Sequence, residues 1–420
     1  MTAIPTIRVT LAIRVFLSFA SGYFLSYAFR SVNAVIAPVL LDEIGLTNAD
    51  LGLLSSAYFI SFACMQLPLG IWLDKYGSRR TESALLLFAA VGAALFASSD
   101  SLPGLWLGRA LIGVGVSACL MAPIKAYRQW FAPERQSQLA SWMLVAGTSG
   151  ALAATVPVNA ALPLIGWRGV FWIMSAMILA SAAAIFFLLK KMEAAHPQPA
   201  SHAASSSGGY KQVFGNPFFR RMSLLGTVNH GSFVALQTLW AGPWMITVLG
   251  LDKAQTARVL FMFNLSLLLA YLVMSWWAPR HVLSQHGSNT ARGVPVMRVI
   301  AVGLTGAILA QAGMLATSAS WSWIFWIMMA ICITVATLVQ TEVSLSFPIA
   351  LTGRANTAYN LLLFVGAFVV QWGVGLLIDL FKAHGASAAN AMRMAFALCL
   401  ACQVISLAIF LMNRTRPVAV

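Results

Sequence analysis

Three ionisable side chains stand inside apolar runs of this chain, Arg30, Arg109 and Glu342, and a titratable imidazole, His230, lies within another. Each type implies a chemistry. A guanidinium is permanently charged and offers a planar fork of donors, so Arg30 in lipid surroundings calls for an anionic partner, a water-filled cavity or a substrate. A structural ion pair, or a side chain snorkelling to the outer surface, would meet the same demand. Tyr23, Tyr27 and Arg30 follow the spacing i, i+4, i+7, which sets them on one helix face with Asn33 close by. A carboxylate held away from water, as Glu342 would be, can take and release protons and so couple movement to a proton gradient. His230 is a second candidate proton carrier, because an imidazole titrates near physiological pH; a hydrogen bond between helices is its alternative reading.

The elements that must position these groups follow from composition. The chain has 420 residues, 60% of them hydrophobic and only 9% charged, whereas soluble domains carry roughly 25% charged residues. Lipid is therefore its main solvent. Apolar runs lie near 15–39, 51–72, 82–99, 103–127, 138–162, 168–190, 222–248, 256–278, 296–317, 321–347, 356–380 and 388–411, each about 20 residues and long enough to cross ~30 Å of hydrocarbon as a helix. They lack the alternation of barrel strands. The expected fold is an all-α membrane protein of twelve transmembrane helices, with residues 1–190 as one six-helix bundle, 191–219 as a flexible linker and 220–420 as a second bundle. Residues 194–209, AAHPQPASHAASSSGG, have the linker composition.

A net charge of +15 would suit a nucleic-acid ligand, but its distribution argues otherwise. With both termini inside, the inner segments collect nineteen cations and four carboxylates, Asp74, Glu82, Glu134 and Glu193, while the outer loops hold five cations and six carboxylates. That is the positive-inside pattern of a bacterial inner-membrane protein with cytoplasmic termini. The five cysteines all fall in apolar runs without paired spacing and read as small core residues, neither disulfides nor metal ligands. No metal and no cofactor is expected. A phosphate-cradling loop is absent, as is any Ser/His or Cys/His constellation, which removes ATP hydrolysis and enzymatic catalysis from the reading.

The halves repeat. Residues 44–50, IGLTNAD, match 249–255, LGLDKAQ, at an offset of 205, and the same offset pairs Pro38 with Pro243 and Trp72 with Trp277. Each matched segment opens a helix with a capping-box pattern, Thr47 with Asp50 and, more loosely, Asp252 with Gln255. Two related bundles imply a cavity at their interface that opens alternately to either side, the architecture of a secondary transporter.

After the second run comes Gly70-Ile-Trp-Leu-Asp74-Lys75-Tyr-Gly77-Ser-Arg79-Arg80. This resembles the loop between helices 2 and 3 of the major facilitator superfamily, G-x-x-x-D-[RK]-x-G-x-[RK]-[RK], at every motif position. Arg109 followed by Gly113 and Gly115, residues 130–135 (WFAPER) and residues 166–168 (GWR) agree with it. The resemblance implies that the loop latches the two bundles at the cytoplasmic face, with Asp74 anchoring a charge cluster that includes Lys75, Arg79, Arg80 and Arg109. The corresponding loop of the second half, Trp277-Ala-Pro-Arg280, lacks the carboxylate, so the latch is expected on one side only.

In that family helices 1, 4, 7 and 10 line the cavity. The resemblance thus nominates Tyr23, Tyr27, Arg30 and Asn33 from span 1, His230, Gln237 and Trp240 from span 7, and Thr337 and Thr341 from span 10 as substrate-binding residues. Lys125 of span 4 and Glu342 of span 10 fall at similar depth near the cytoplasmic side, as a gate or coupling pair, a static ion pair, or two charges that never meet. Glu342 is also rotated by about 100° from the Thr334, Thr337, Thr341 stripe. Residues 27–33 resemble helix 1 of the organophosphate branch, where a second Arg sits in helix 7; here the offset sends Arg30 to Ala235. A monoanion or carboxylate fits one Arg better than a dianionic phosphate ester. The leading expectation is a proton-linked importer of a small organic anion, working as a monomer in membrane lipid. The alternatives are a proton/drug antiporter, weakened because span 5 lacks the Gly-Pro pair of family exporters and span 1 has no carboxylate, and a transporter-like sensor.

Overall fold

The computed structural model describes residues 9–131, 133–195, 208–283, 293–347 and 349–412, nearly all of them helical. They form two compact units. Residues 1–39 and 57–204 make the first, 40–56 and 205–420 the second.

The first unit contains α1 (Val9–Ser31), the start of α2 (Asn33–Ile44), most of α3 (Asn48–Ser98), α4 (Leu102–Gly115), α5 (Met121–Trp130), α6 (Pro133–Ala153), α7 (Val156–Leu188) and α8 (Lys190–Ala195). The second contains α9 (Gly208–Gly215), α10 (Pro217–Leu225), α11 (Gly231–Ala235), α12 (Ala241–Thr247), α13 (Lys253–His281), α14 (Val296–Ala316), α15 (Ile324–Ile333), α16 (Ala336–Leu345), α17 (Ile349–Ala383) and α18 (Ala388–Met412). A two-residue parallel pairing, β1 (Val282–Leu283) with β2 (Val294–Pro295), is the one pair of strands among the described residues.

Among the described residues eight helical segments are long and apolar enough to cross a membrane, and α1 with α2, counted as one span across its 45° bend, makes a ninth. The other three expected runs are helical but interrupted. The run near 103–127 breaks at Val116–Leu120 between α4 and α5, the run near 138–162 breaks at Ala154–Thr155 between α6 and α7, and the run near 222–248 carries two π-helical turns, Gly226–His230 and Leu236–Trp240. A further break at Thr334–Val335 separates α15 from α16. At three breaks a hydroxyl bonds back onto its own helix: Ser117 to Val114 O, Thr155 to Leu152 O and Thr334 to Ile331 O, at 2.7, 2.6 and 2.7 Å. Such back-bonding competes with the helical ladder and bends it, while keeping polar backbone satisfied where no water reaches.

Both repeat signals are built. Thr47 and Asp50 exchange bonds, Asp50 N–H to Thr47 Oγ1 at 3.0 Å and Thr47 N–H to Asp50 Oδ2 at 3.0 Å. Asp252 and Gln255 form a complete capping box, tighter than the loose match in sequence suggests. Gly45 and Gly250, one residue into the matched segments, share a left-handed φ of 71° and 67°.

Two expected boundaries shift. Segment 40–56 groups with the second unit, where the Asp379 carboxylate accepts from Ala49 N–H at 2.6 Å and Asn48 Nδ2 at 2.8 Å. Within the expected linker, 191–195, 208–215 and 217–219 are helical, with Met192 buried and Glu193 paired to a cation; residues 196–207 lie outside the described residues.

Candidate functional site

Arg30 sits in the last turn of α1, immediately before the bend, and is half-buried. Four aromatic rings surround its guanidinium: Tyr27 at 4.7 Å, Tyr58 at 5.6 Å, Phe62 at 5.7 Å and Phe59 at 6.0 Å from the ring centres. The π faces stabilise the cation without neutralising it, each by about 0.5–2 kcal/mol depending on desolvation. Tyr58 is fastened to α1 by Ser26, its hydroxyl lying 3.3 Å from Ser26 Oγ. Tyr23 donates to the Tyr27 hydroxyl at 3.3 Å, with the rings edge to face. The α1 face therefore assembles as its spacing demands. Its three partners from α3, Tyr58, Phe59 and Phe62, carry no polar signal in sequence, and an aromatic cluster in an apolar run reads as lipid-facing or core.

Asn33 is buried in the first turn of α2. Arg109 was grouped with the cytoplasmic loop by resemblance, but it lies fully buried against α1, donating from Nη1 to Phe29 O at 2.9 Å and stacked between Phe96 and Phe171. Phe29 O belongs to the last turn of α1, where carbonyls run out of intrahelical donors. Arg109 thus supports the break beside Arg30.

In the loop itself, Gly77 is the residue that leaves helical geometry, with φ 82° and ψ 167°. Gly70 faces open space. Arg79 is buried, pairs with Glu193 at 2.6 Å, donates to Phe186 O at 2.8 Å and stacks on the Phe186 ring. Arg80 and Lys75 are exposed, Lys75 over the Tyr76 ring. The side chain of Asp74 lies outside the described residues. Lys125 donates to Leu73 O at 2.7 Å, closing the end of the second span.

One carboxylate was misplaced by the charge count. Glu82, assigned to the cytoplasmic loop, is fully buried within the span Lys75–Ser98, because only Gly77 interrupts the helix and the expected start at 82 lies a turn too late.

In the second unit the polar residues of span 7 cluster in its two π turns. These hold His230, half-buried, and Gln237, which donates to Asn264 Oδ1 at 2.9 Å. Such turns insert an extra residue and re-aim the face, and they recur at functional sites. Trp240 is fully buried and its indole donates to Gln371 O at 3.1 Å. Thr337 and Thr341 donate to Thr334 O and Thr337 O. Glu342 is 1% exposed.

The Major Facilitator Superfamily profile matches residues 19–371. A probable sulfoacetate transporter of Cupriavidus necator is 27% identical over 248 residues, 56% of this chain and 57% of that protein. The hexuronate transporter of Escherichia coli K12 is 27% identical over 193 residues, 45% of this chain and 43% of that protein. The chain spans about half the length of the curated relatives it matches. Among solved structures, a bacterial homologue of the human lysosomal transporter Spinster, inward-facing and occupied, superposes with a TM-score of 0.75 at 16% identity over 97% of both chains. That likeness shows the fold. These relatives are transporters, not enzymes.

Proposed function

We propose that this chain, which belongs to the Major Facilitator Superfamily, is a secondary active transporter that takes up a small organic monoanion together with protons. It does so by alternating access in the bacterial inner membrane, with both termini cytoplasmic and the positive-inside loops as anchor. The observation that carries this reading is Arg30: a guanidinium caged by four aromatic rings beside a helix break. Broken spans near the bilayer centre are where transporters of this kind place their ligands. A planar fork suits a carboxylate or sulfonate edge, and Ala235 at the repeat-related position supports a single negative charge over a dianion. The names of two relatives, transporters of hexuronate and galacturonate, support a small organic monoanion, while that of a third, a probable sulfoacetate transporter, supports only the broader class of small organic acids.

The test uses purified protein in proteoliposomes challenged with labelled galacturonate, sulfoacetate and a cationic dye. An accepted monoanion should lose about tenfold or more of its uptake in Arg30→Ala, with Arg30→Lys intermediate because a point charge replaces the fork. Unchanged anion uptake in Arg30→Ala, or movement of the cation in place of the anions, refutes the reading.

A further inference from the structure

Glu82 is a buried carboxylate that the anion site does not use. It lies a turn beyond Gly77 in α3, fully buried, and neither carboxylate oxygen meets an N–H or O–H donor among the described residues. A dry chamber accommodates a neutral carboxylic acid far more readily than an unpaired carboxylate.

The chamber is made by several elements. From α1, Gly22 leaves the room: a Cβ there would stand 3.1 Å from Glu82 Oε1 and 3.5 Å from Ser181 Oγ. From α7 comes Ser181, whose Oγ is 2.7 Å from Ser21 Oγ. The turn between α4 and α5 brings the Cys119 thiol against the carboxylate, and α5 brings the buried Tyr127 hydroxyl within its electrostatic reach. Among the described residues these are the titratable groups within reach of Glu82. Of the cations nearest in sequence, Arg80 is exposed and Arg79 is bound to Glu193 and Phe186 O, while Lys125 of α5 donates to Leu73 O.

The chamber lies near the anion site. Cys119 is within electrostatic reach of Glu82 and of Tyr23. Tyr23 donates to Tyr27, whose ring underlies Arg30 at 4.7 Å.

We infer that Glu82 is the proton-carrying carboxylate of the first unit. It holds a proton in the conformation described and releases it when the chamber hydrates: the carboxyl O–H bond breaks, the proton passes to water, and a carboxylate remains beside Cys119 at the end of the path to Arg30. The inference rests on the proton-linked transport proposed above and moves the coupling role from Glu342 to Glu82.

Two measurements test it. In the infrared difference spectrum of purified wild type minus Glu82→Gln at neutral pH, the C=O stretch of a protonated carboxylic acid is expected; its absence overturns the inference. In proteoliposomes, labelled galacturonate uptake driven by an inward proton gradient should fall by about tenfold or more in Glu82→Gln, while counterflow at equal pH stays within about twofold. Glu82→Asp, which restores a carboxyl group, should regain gradient-driven uptake and so separates lost chemistry from a failure to fold. Gradient-driven uptake at the wild-type level in Glu82→Gln overturns the assignment of Glu82 alone. A wild type whose galacturonate uptake ignores the gradient overturns the proton-linked reading, and the coupling role of Glu82 falls with it.

Discussion

The Arg79–Glu193 contact invites a quantitative test, because one carboxylate faces two arginines in different surroundings. Glu193 lies 2.6 Å from Arg79 Nε, with Arg79 side chain 5% exposed, and 3.9 Å from Arg80 Nε, with that side chain 65% exposed. Arg79 adds a bond to Phe186 O at 2.8 Å and a stacking contact with the ring at 4.7 Å. Removing one member of a fully buried pair costs about 3–5 kcal/mol, but Glu193 is 20% exposed and water can reach it, which reduces the expected loss for Glu193→Gln to about 2–3 kcal/mol. Thermal unfolding of the purified protein should then shift down by about 2–4 °C for a chain of 420 residues unfolding as one. Arg80→Ala should cost less than about 0.5 kcal/mol, because its charge is screened and its side chain pays to be ordered. A double-mutant cycle isolates each coupling. Equal coupling of Glu193 to Arg79 and Arg80 would refute the assignment of the buried arginine as the residue that ties α8 to the loop.

Two further outcomes are expected. The motif's two glycines should respond with opposite sign: Gly77→Ala forces a side chain into a region of φ and ψ reserved for glycine and destabilises by about 1–3 kcal/mol, whereas Gly70→Ala, in open space within a helix, is stabilising by up to about 1 kcal/mol. Thermal unfolding of the pair checks this, and equal loss in both would refute it. Asp379→Ala should cost about 1–2 kcal/mol by uncapping the start of α3, read as faster hydrogen exchange at Ala49, with Asp379→Asn milder; unchanged exchange in Asp379→Ala would show that the cap carries no stability.

Much of the fold was legible because it is written in features that sequence exposes directly. The capping residues Thr47, Asp50, Asp252 and Gln255 and the glycines at 45 and 250 are local, and each does in the structure what its type does in isolation. Glu82 was illegible for a definite reason. Counting charges treats residues 70–82 as one cytoplasmic turn, but helix persists on both sides of Gly77, so a carboxylate four residues after Ser78 has already turned inward. The cage around Arg30 was illegible on one side only: Tyr23 and Tyr27 share its helix face, while Tyr58, Phe59 and Phe62 arrive from another helix, and no periodicity in one segment reports what a second segment brings.

The interruptions in the spans narrow the candidate site further. The break after Ser31 and the second π turn, which starts at Leu236, are 205 residues apart, the offset of the internal repeat. Related helices in the two halves thus lose regular backbone geometry at the same register, and every freed backbone group in lipid must find a partner. Side chains at and near the breaks supply them: Arg109 serves Phe29 O, and the hydroxyls of Thr334, Thr337 and Thr341 donate to carbonyls of their own helix. A hydroxyl has one proton, and an anion needs donors. Thr337 and Thr341 are therefore accounted for by helix geometry before any ligand arrives, and Gln237 already gives one of its two amide protons to Asn264. On the proposed reading an anion takes its charge partner from Arg30, so substitutions at Thr337 or Thr341 should alter its uptake far less than substitutions at Arg30.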